Sequence, residues 1–130
     1  MALKIAGTTV FNDNKVVLPN NSSEISSSVS ISSGTITLDL NAATVFNVTL
    51  NANITTVTLQ NVQTTGRSSS FVLVFTGDGT ARSVTWPASF YWPSGTAPTI
   101  TSTAGKDDVF VFFTTDGGTT WMAFISGQNL

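Results

Sequence analysis

Apolar and polar residues alternate along most of this chain with a period of two, and no window shows the period of an amphipathic helix. In residues 35–40, Ile36, Leu38 and Leu40 fall on one face, and residues 45–50 and 55–60 repeat the pattern. The three segments therefore predict half-buried strands. A polar turn at 51–53 joins the last two, so we expect an antiparallel meander.

Two later runs are continuously apolar. Residues 71–75 read Phe-Val-Leu-Val-Phe, which is typical of a central strand that is covered on both faces. A Gly-Asp-Gly turn follows, and residues 83–86 are predicted to return as the hairpin partner, with Arg82 paired to Asp78. Residues 109–113 and 121–125 flank an Asp-Gly-Gly turn and predict a second hairpin, with Trp121 in the core.

These patterns predict an all-β protein, a compact antiparallel β-sandwich or jelly-roll-like barrel with an extended N-terminal arm. We assign residues 1–33 to the arm and a linker, and residues 34–130 to the β-domain. Within the arm, strand-like pieces at 8–11 and 15–18 flank a polar turn. Residues 22–33 are Ser-rich and fit an exposed strand, a linker or a segment that is ordered by a neighbour.

The composition indicates a domain that makes contacts with other protein surfaces. Of the 130 residues only 9% are charged, whereas about 25% is usual. A surface of Ser, Thr and Asn packs readily against copies of itself, because few charges must lose their water. The net charge of −2 provides no attraction for phosphate, and no apolar stretch approaches the length of a membrane helix. We expect neither nucleic acid nor membrane as a partner.

Candidate chemistry is sparse. The chain has no histidine and no cysteine, so Ser-His and Cys-His nucleophiles and thiolate metal sites are excluded. A glycosidase pair is formally open, but Asp78 and Asp116 lie in Gly-rich turns, where aspartate has a conformational role. Asp107 and Asp108 could supply oxygens to Ca²⁺, although the solvated start of a strand is the favoured interpretation. We expect no enzyme and no cofactor.

Four large rings fall within one short connection: Trp86, Phe90, Tyr91 and Trp92, stiffened by two prolines. They could form a platform for a sugar or a peptide, and they are the candidate interaction loop. The alternative, which we favour, is that the rings close the open end of the β-core.

Several segments together resemble a module of the structural proteins of tailed bacteriophages, of cyanophages in particular. They are residues 75–87 (FTGDGTARSVTWP), 92–99 (WPSGTAPT) and 116–121 (DGGTTW). At the start of the chain, GTTV at 7–10 and DNK at 13–15 resemble segments that introduce such modules in fibre and decoration proteins. The resemblance covers residues 35–130 and, less closely, the first twenty.

The resemblance implies a non-enzymatic, usually trimeric β-protein on the virion surface, made in the host cytoplasm. One hypothesis is a capsid decoration or cement protein that is held on the major capsid protein by its arm. The anchoring residues would be Val10, Phe11, Val16, Val17 and Leu18. The other is a tail-fibre or receptor-binding component that contacts host surface glycans through the 86–92 loop. We favour the first, because fibres usually need long shafts and none is seen here.

Overall fold

A computed structural model describes residues 3–5, 8–11, 23–64 and 66–130. These ranges contain ten strands and one short 3₁₀ helix at Pro93–Gly95. The strands are β1 Leu3–Ile5, β2 Thr8–Phe11, β3 Ser26–Ser28, β4 Thr35–Asp39, β5 Val45–Leu50, β6 Thr56–Gln60, β7 Ser69–Gly77, β8 Phe90–Tyr91, β9 Asp107–Thr114 and β10 Trp121–Gly127.

The main element is a mixed six-stranded sheet with the order β3-β5-β7-β9-β10-β8. Strands β3, β5 and β7 are parallel, β7, β9 and β10 are antiparallel, and β8 runs parallel to β10. Strands β4 and β6 form a second, parallel sheet, and β1 and β2 an antiparallel pair. The all-β prediction is confirmed, whereas the prediction of antiparallel pairing is wrong for β3 to β7.

The predicted meander is wrong because successive strands belong to different sheets. Strand β4 pairs with β6, placing Ile36 opposite Val57, while β5 lies between β3 and β7. From β3 to β7 the chain thus passes back and forth between two sheets and enters each in the same direction. Alternation identifies which side chains point inward, but it does not specify the partner strand.

Of the two predicted hairpins, only the second forms. Strand β7 is an interior strand, as predicted, but its neighbours are β5 and β9. Residues 83–86 do not pair with it, and Val84 makes an isolated parallel bridge to Ile54. Strands β9 and β10 pair antiparallel with Phe112 opposite Ala123, which confirms the second hairpin.

One core lies between the two larger sheets. Its largest fully buried side chains come from both of them: Trp121, Phe46, Phe71, Phe75, Phe110, Phe112, Ile36, Leu38, Leu50, Leu73 and Val48, together with Ile54. Val29 and Ile31 also pack against this core. The domain boundary expected at residue 33 therefore falls between β3, in the large sheet, and β4, in the small one.

In the N-terminal region, the strand predicted at 8–11 is confirmed as β2, and its partner is β1. The second predicted piece, at 15–18, lies outside the described residues. No helix in the described part of the chain is long and apolar enough to span a membrane.

Candidate interaction surface

Three rings of the predicted interaction loop point into the core. The Trp86 ring centroid lies 5.8 Å from that of Phe75 and 5.0 Å from that of Trp92. Phe90 lies 4.6 Å from Phe112, centroid to centroid. Phe90 and Trp92 are 5% and 8% exposed, and Trp86 is half-buried. This packing agrees with the interpretation that the rings close the core.

Tyr91 is the exception in this loop, since 62% of it is exposed. Its neighbour Phe90, in β8, pairs with Trp121 of β10. The N–H of Phe90 donates to the carbonyl of Pro87 at 3.0 Å. Because side chains in a strand alternate between faces, the inward Phe90 sends Tyr91 outward. Of the four rings, Tyr91 is therefore the one that offers an open face to a ligand.

The outward residues of the large sheet form a second apolar layer, which we call the outer apolar face. It consists of Val45, Val72, Val74, Tyr91, Val109, Val111, Phe113, Met122 and Phe124. These residues form continuous rows across the strands: Val45 is opposite Val72, Val72 opposite Val111, and Val111 opposite Phe124. In the next row, Phe113 is opposite Met122, and Met122 opposite Tyr91.

The outer apolar face carries no charge, and its β10 end is open to solvent. Phe124 is 49% exposed and Met122 is 39% exposed, whereas the valines are half-buried by their neighbours. The exposed side chains Tyr91, Met122 and Phe124 thus lie next to one another, which makes this contiguous apolar patch the candidate interaction surface.

Polar residues border this face towards β3 and towards the start of β9. The Asn47 amide donates to the Ser26 hydroxyl at 2.7 Å, and the Thr76 hydroxyl donates to Asp107 at 2.6 Å. An apolar centre with a hydrogen-bonding border is the usual anatomy of a protein–protein contact.

Asp108 is not at a solvated start of a strand, as we had expected, but is 1% exposed. Its carboxylate accepts hydrogen bonds from the Thr101 N–H at 2.7 Å, the Asn129 N–H at 3.0 Å and the Gln128 amide at 3.2 Å. Burial raises the pKa of this carboxyl, but the hydrogen bonds outweigh it and hold the pKa below its ordinary value. Asp108 thus ties the C-terminal residues to β9.

Calcium is not favoured at this position. The oxygens of Asp108 already accept three donors, and Asp107 accepts the Thr76 hydroxyl. Within the described residues, there is no group of three or more acidic side chains that could hold a metal ion.

The two turn aspartates accept hydrogen bonds from backbone N–H groups of their own turns, as predicted. Asp78 accepts the Thr80 N–H at 2.9 Å and Asp116 accepts the Thr120 N–H at 2.9 Å. The predicted ion pair between Arg82 and Asp78 is present, with 2.6 Å between Arg82 Nη2 and Asp78 Oδ2. The hydrogen bond from Arg82 lowers the pKa of Asp78. The N–H of Thr120 is the largest of the causes that lower the pKa of Asp116.

Two shallow grooves accompany these features. One, of about 270 Å³, lies between the segment before β3 and the turn after β4, and it includes Ile25 and Leu40. The other, of about 320 Å³, is lined mainly by Ser, Asn and Thr beside β5. Among the described residues that line these grooves, Glu24 is the only charged one.

Among the predicted anchoring residues, Val10 and Phe11 belong to β2, and Val16, Val17 and Leu18 lie outside the described residues. The predicted sites did not include the outer apolar face. Its signal was nevertheless in the sequence, because residues 109–113 and 121–125 are apolar at both parities instead of one.

No protein-family model matches this chain, and neither does any curated protein or solved structure. The function must therefore be inferred from the geometry of the outer apolar face and from the chain's own sequence.

Proposed function

We propose that this chain is a non-enzymatic structural protein of a tailed-bacteriophage virion, which trimerises on the capsid surface and stabilises it as a decoration or cement protein. The observation that carries the proposal is the uncharged outer apolar face on a mixed β-sheet. Such a face suits permanent contact with protein neighbours, and symmetric repetition multiplies the effect of each contact.

The state of the carboxylates supports a structural role. Hydrogen bonds hold the pKa values of Asp39, Asp78, Asp108 and Asp116 below the ordinary range. A general acid at neutral pH needs a raised pKa. Each of these groups instead holds a turn or a chain end in place, which is what a rigid surface module requires.

The arrangement of the sheets supports the two-layered sandwich form that we propose for the domain. Ile36, Leu38 and Val57 of the small sheet share one core cluster with Phe46 and Leu73 of the large sheet. One face of the large sheet is thereby covered within the subunit, and the other remains available for assembly.

The copy number per virion tests the proposal directly. A decoration protein should be present in hundreds of copies, which quantitative gel analysis of purified particles against the major capsid protein would measure. A few copies per particle would reject capsid decoration.

The arm is tested by deleting residues 1–21, which should abolish capsid binding. A circular-dichroism spectrum that keeps its β signal would show that the domain is still folded, so that the loss belongs to the arm. Full capsid binding by the shortened chain would place the anchor elsewhere.

The second candidate is a tail-fibre or receptor-binding component that contacts host surface glycans, and the exposed ring of Tyr91 favours it. Tyr91→Ala should then lower the adsorption of particles to host cells. Because Tyr91 also belongs to the outer apolar face, adsorption is compared between particles that carry equal amounts of the variant and of the wild-type protein. Trp92→Ala is unsuitable for this test, since Trp92 is 8% exposed and its loss would disturb the core. Unchanged adsorption of Tyr91→Ala would remove the loop as a receptor site.

A further inference from the structure

We propose that copies of this chain associate with one another through the outer apolar face, with Phe124 and Met122 in the contact. This inference rests on the proposed function in so far as that function includes a trimer, and it adds the surface that would hold the trimer together.

Within the described part of the chain, the β10 end of the outer apolar face has no cover, although its sequence pattern is that of a covered face. Strands β7 and β9 are apolar on both sides, a pattern typical of strands buried on both faces. The inner side is covered by the small sheet and by the loop of residues 86–92, which we call the aromatic loop. There, Phe71 and Phe112 are 1% and 0% exposed. On the outer side, Phe124 keeps 49% exposure. Burying the exposed parts of Phe124 and Met122 would remove apolar surface from water, which favours a cover.

The low charge of this face and of the whole chain favours a second copy as its partner. When two copies meet through the nine residues of this face, none of these residues brings like charges together or loses the hydration of a charge. The whole chain carries only 9% charged residues and a net charge of −2, so copies repel one another little. A second copy is therefore the occupant that this inference assigns to the face.

The size of the face suits the centre of such a contact. At a strand spacing of about 4.8 Å and a two-residue repeat of about 6.8 Å, nine side chains cover roughly 300 Å² of sheet plane. A stable contact buries about 800 Å² on each partner, so the apolar face would form the centre of a larger contact. Ser26, Asn47, Thr49, Thr76 and the acidic Asp107 extend the outer side of the same sheet and would supply the polar rim, in which Asp107 accepts the Thr76 hydroxyl.

The test is the oligomeric mass of Phe124→Lys, measured by light scattering on the full chain at micromolar concentration. Because Phe124 points outward, the variant should keep the far-UV circular-dichroism spectrum of the wild type and should still unfold in one cooperative transition. The expected result is a fall in mass from that of three copies to that of one. Phe124→Ser, which adds no charge, should weaken association less and serves if the lysine variant does not fold.

Ile25→Lys is the matched control. Ile25 is 64% exposed but lies outside the outer apolar face, so its substitution should leave the mass unchanged. Dissociation by Ile25→Lys to the same degree would attribute the effect to added charge in general and would overturn the proposed surface.

The outcomes separate this inference from the proposed function. A trimeric wild type with a trimeric Phe124→Lys variant would overturn the surface and leave the trimer standing. A wild type of two or more copies that dissociates on Phe124→Lys supports the surface, whatever the number of copies. A monomeric wild type at micromolar concentration overturns both the surface and the trimer, while capsid decoration would still be decided by the copy number per virion.

Discussion

The two faces of the large sheet are built from the same kinds of side chain, yet they have different surroundings. On the inner face, Phe110 and Phe112 are 0% exposed beneath the small sheet and the aromatic loop. On the outer face, Phe113 is half-buried and Phe124 is 49% exposed. Hydrophobicity alone thus does not distinguish a buried face from a partly exposed one; the distinction comes from what the rest of the chain places over each face.

Neighbouring residues make this comparison testable, because adjacent positions in a strand point to opposite faces. Phe112 and Phe113, and Asp108 and Asp107, are such pairs in β9. Trp92, which directly follows β8, and Tyr91 likewise pair a buried side chain with an exposed one. If the outer face is an assembly surface, the buried member should determine subunit stability. The exposed member should affect the fold of a single subunit much less.

The largest contrast is expected between Phe112→Ala and Phe113→Ala. Removing the buried ring should lower the free energy of unfolding by about 3–5 kcal/mol, because it leaves a cavity among packed aromatic rings. Removing the half-buried ring should cost less than about 1.5 kcal/mol. Urea unfolding followed by tryptophan fluorescence would measure both, in the Phe124→Lys background so that association does not contribute. Equal losses would mean that the outer face is already covered within one subunit.

The aromatic loop gives the next contrast. Trp92→Ala should destabilise the subunit by about 3 kcal/mol, since the Trp92 ring packs edge-on at 5.7 Å from those of Phe110 and Phe112, centroid to centroid. Tyr91→Ala should change stability by less than about 0.5 kcal/mol, as expected for a surface substitution. Thermal unfolding of the two variants beside the wild type is sufficient. A large loss for Tyr91→Ala would show that this ring has a structural role.

Local patterns predicted much of the fold because they depend on neighbours in sequence. Strands β4 to β6 follow from alternation, β7, its central position and β9 from continuously apolar runs, and the β9–β10 hairpin from the Asp-Gly-Gly turn between two such runs. The pairing of β4 with β6 and of β5 with β7 joins segments some twenty or more residues apart. Alternation contains no information on such partners.

The role of Asp108 could not be predicted for a similar reason. Its donors come from residue 101 and from residues 128 and 129, and they meet only once the chain end returns to β9. Gly77 permits another such approach, because a Cβ there would lie 2.5 Å from the carbonyl oxygen of Thr103. The outer apolar face, in contrast, could have been recognised from runs that are apolar at both parities.

A smaller contrast is expected between Asp108→Asn and Asp107→Asn at neutral pH. In Asp108→Asn, the new side-chain amide would direct its own donors at the N–H groups of Thr101 or Asn129, and the loss should be about 1–3 kcal/mol. Within the described residues, the Asp107 side chain accepts one hydroxyl, which an asparagine oxygen can also accept, so that variant should stay within about 0.5 kcal/mol of the wild type. Chemical unfolding at pH 7 would separate them, and equal effects would contradict a structural role for the buried carboxylate.

The smallest expected effect is the pH dependence of the difference in unfolding free energy between the wild type and Asp108→Asn. The pKa of Asp108 is lowered in the folded protein, so its ionised form adds stability above the unfolded pKa of about 4. This contribution is lost as the pH falls from about 4 through the folded pKa. The gap in unfolding free energy between wild type and Asp108→Asn should therefore be constant from pH 7 to 5 and narrow below pH 4. Asp39, Asp78 and Asp116, whose pKa values are also lowered, titrate in both proteins, so subtracting one curve from the other isolates Asp108. A gap that widened towards acid would mean that burial outweighs the hydrogen bonds at this carboxyl. The ionised form of Asp108 would then destabilise the folded protein.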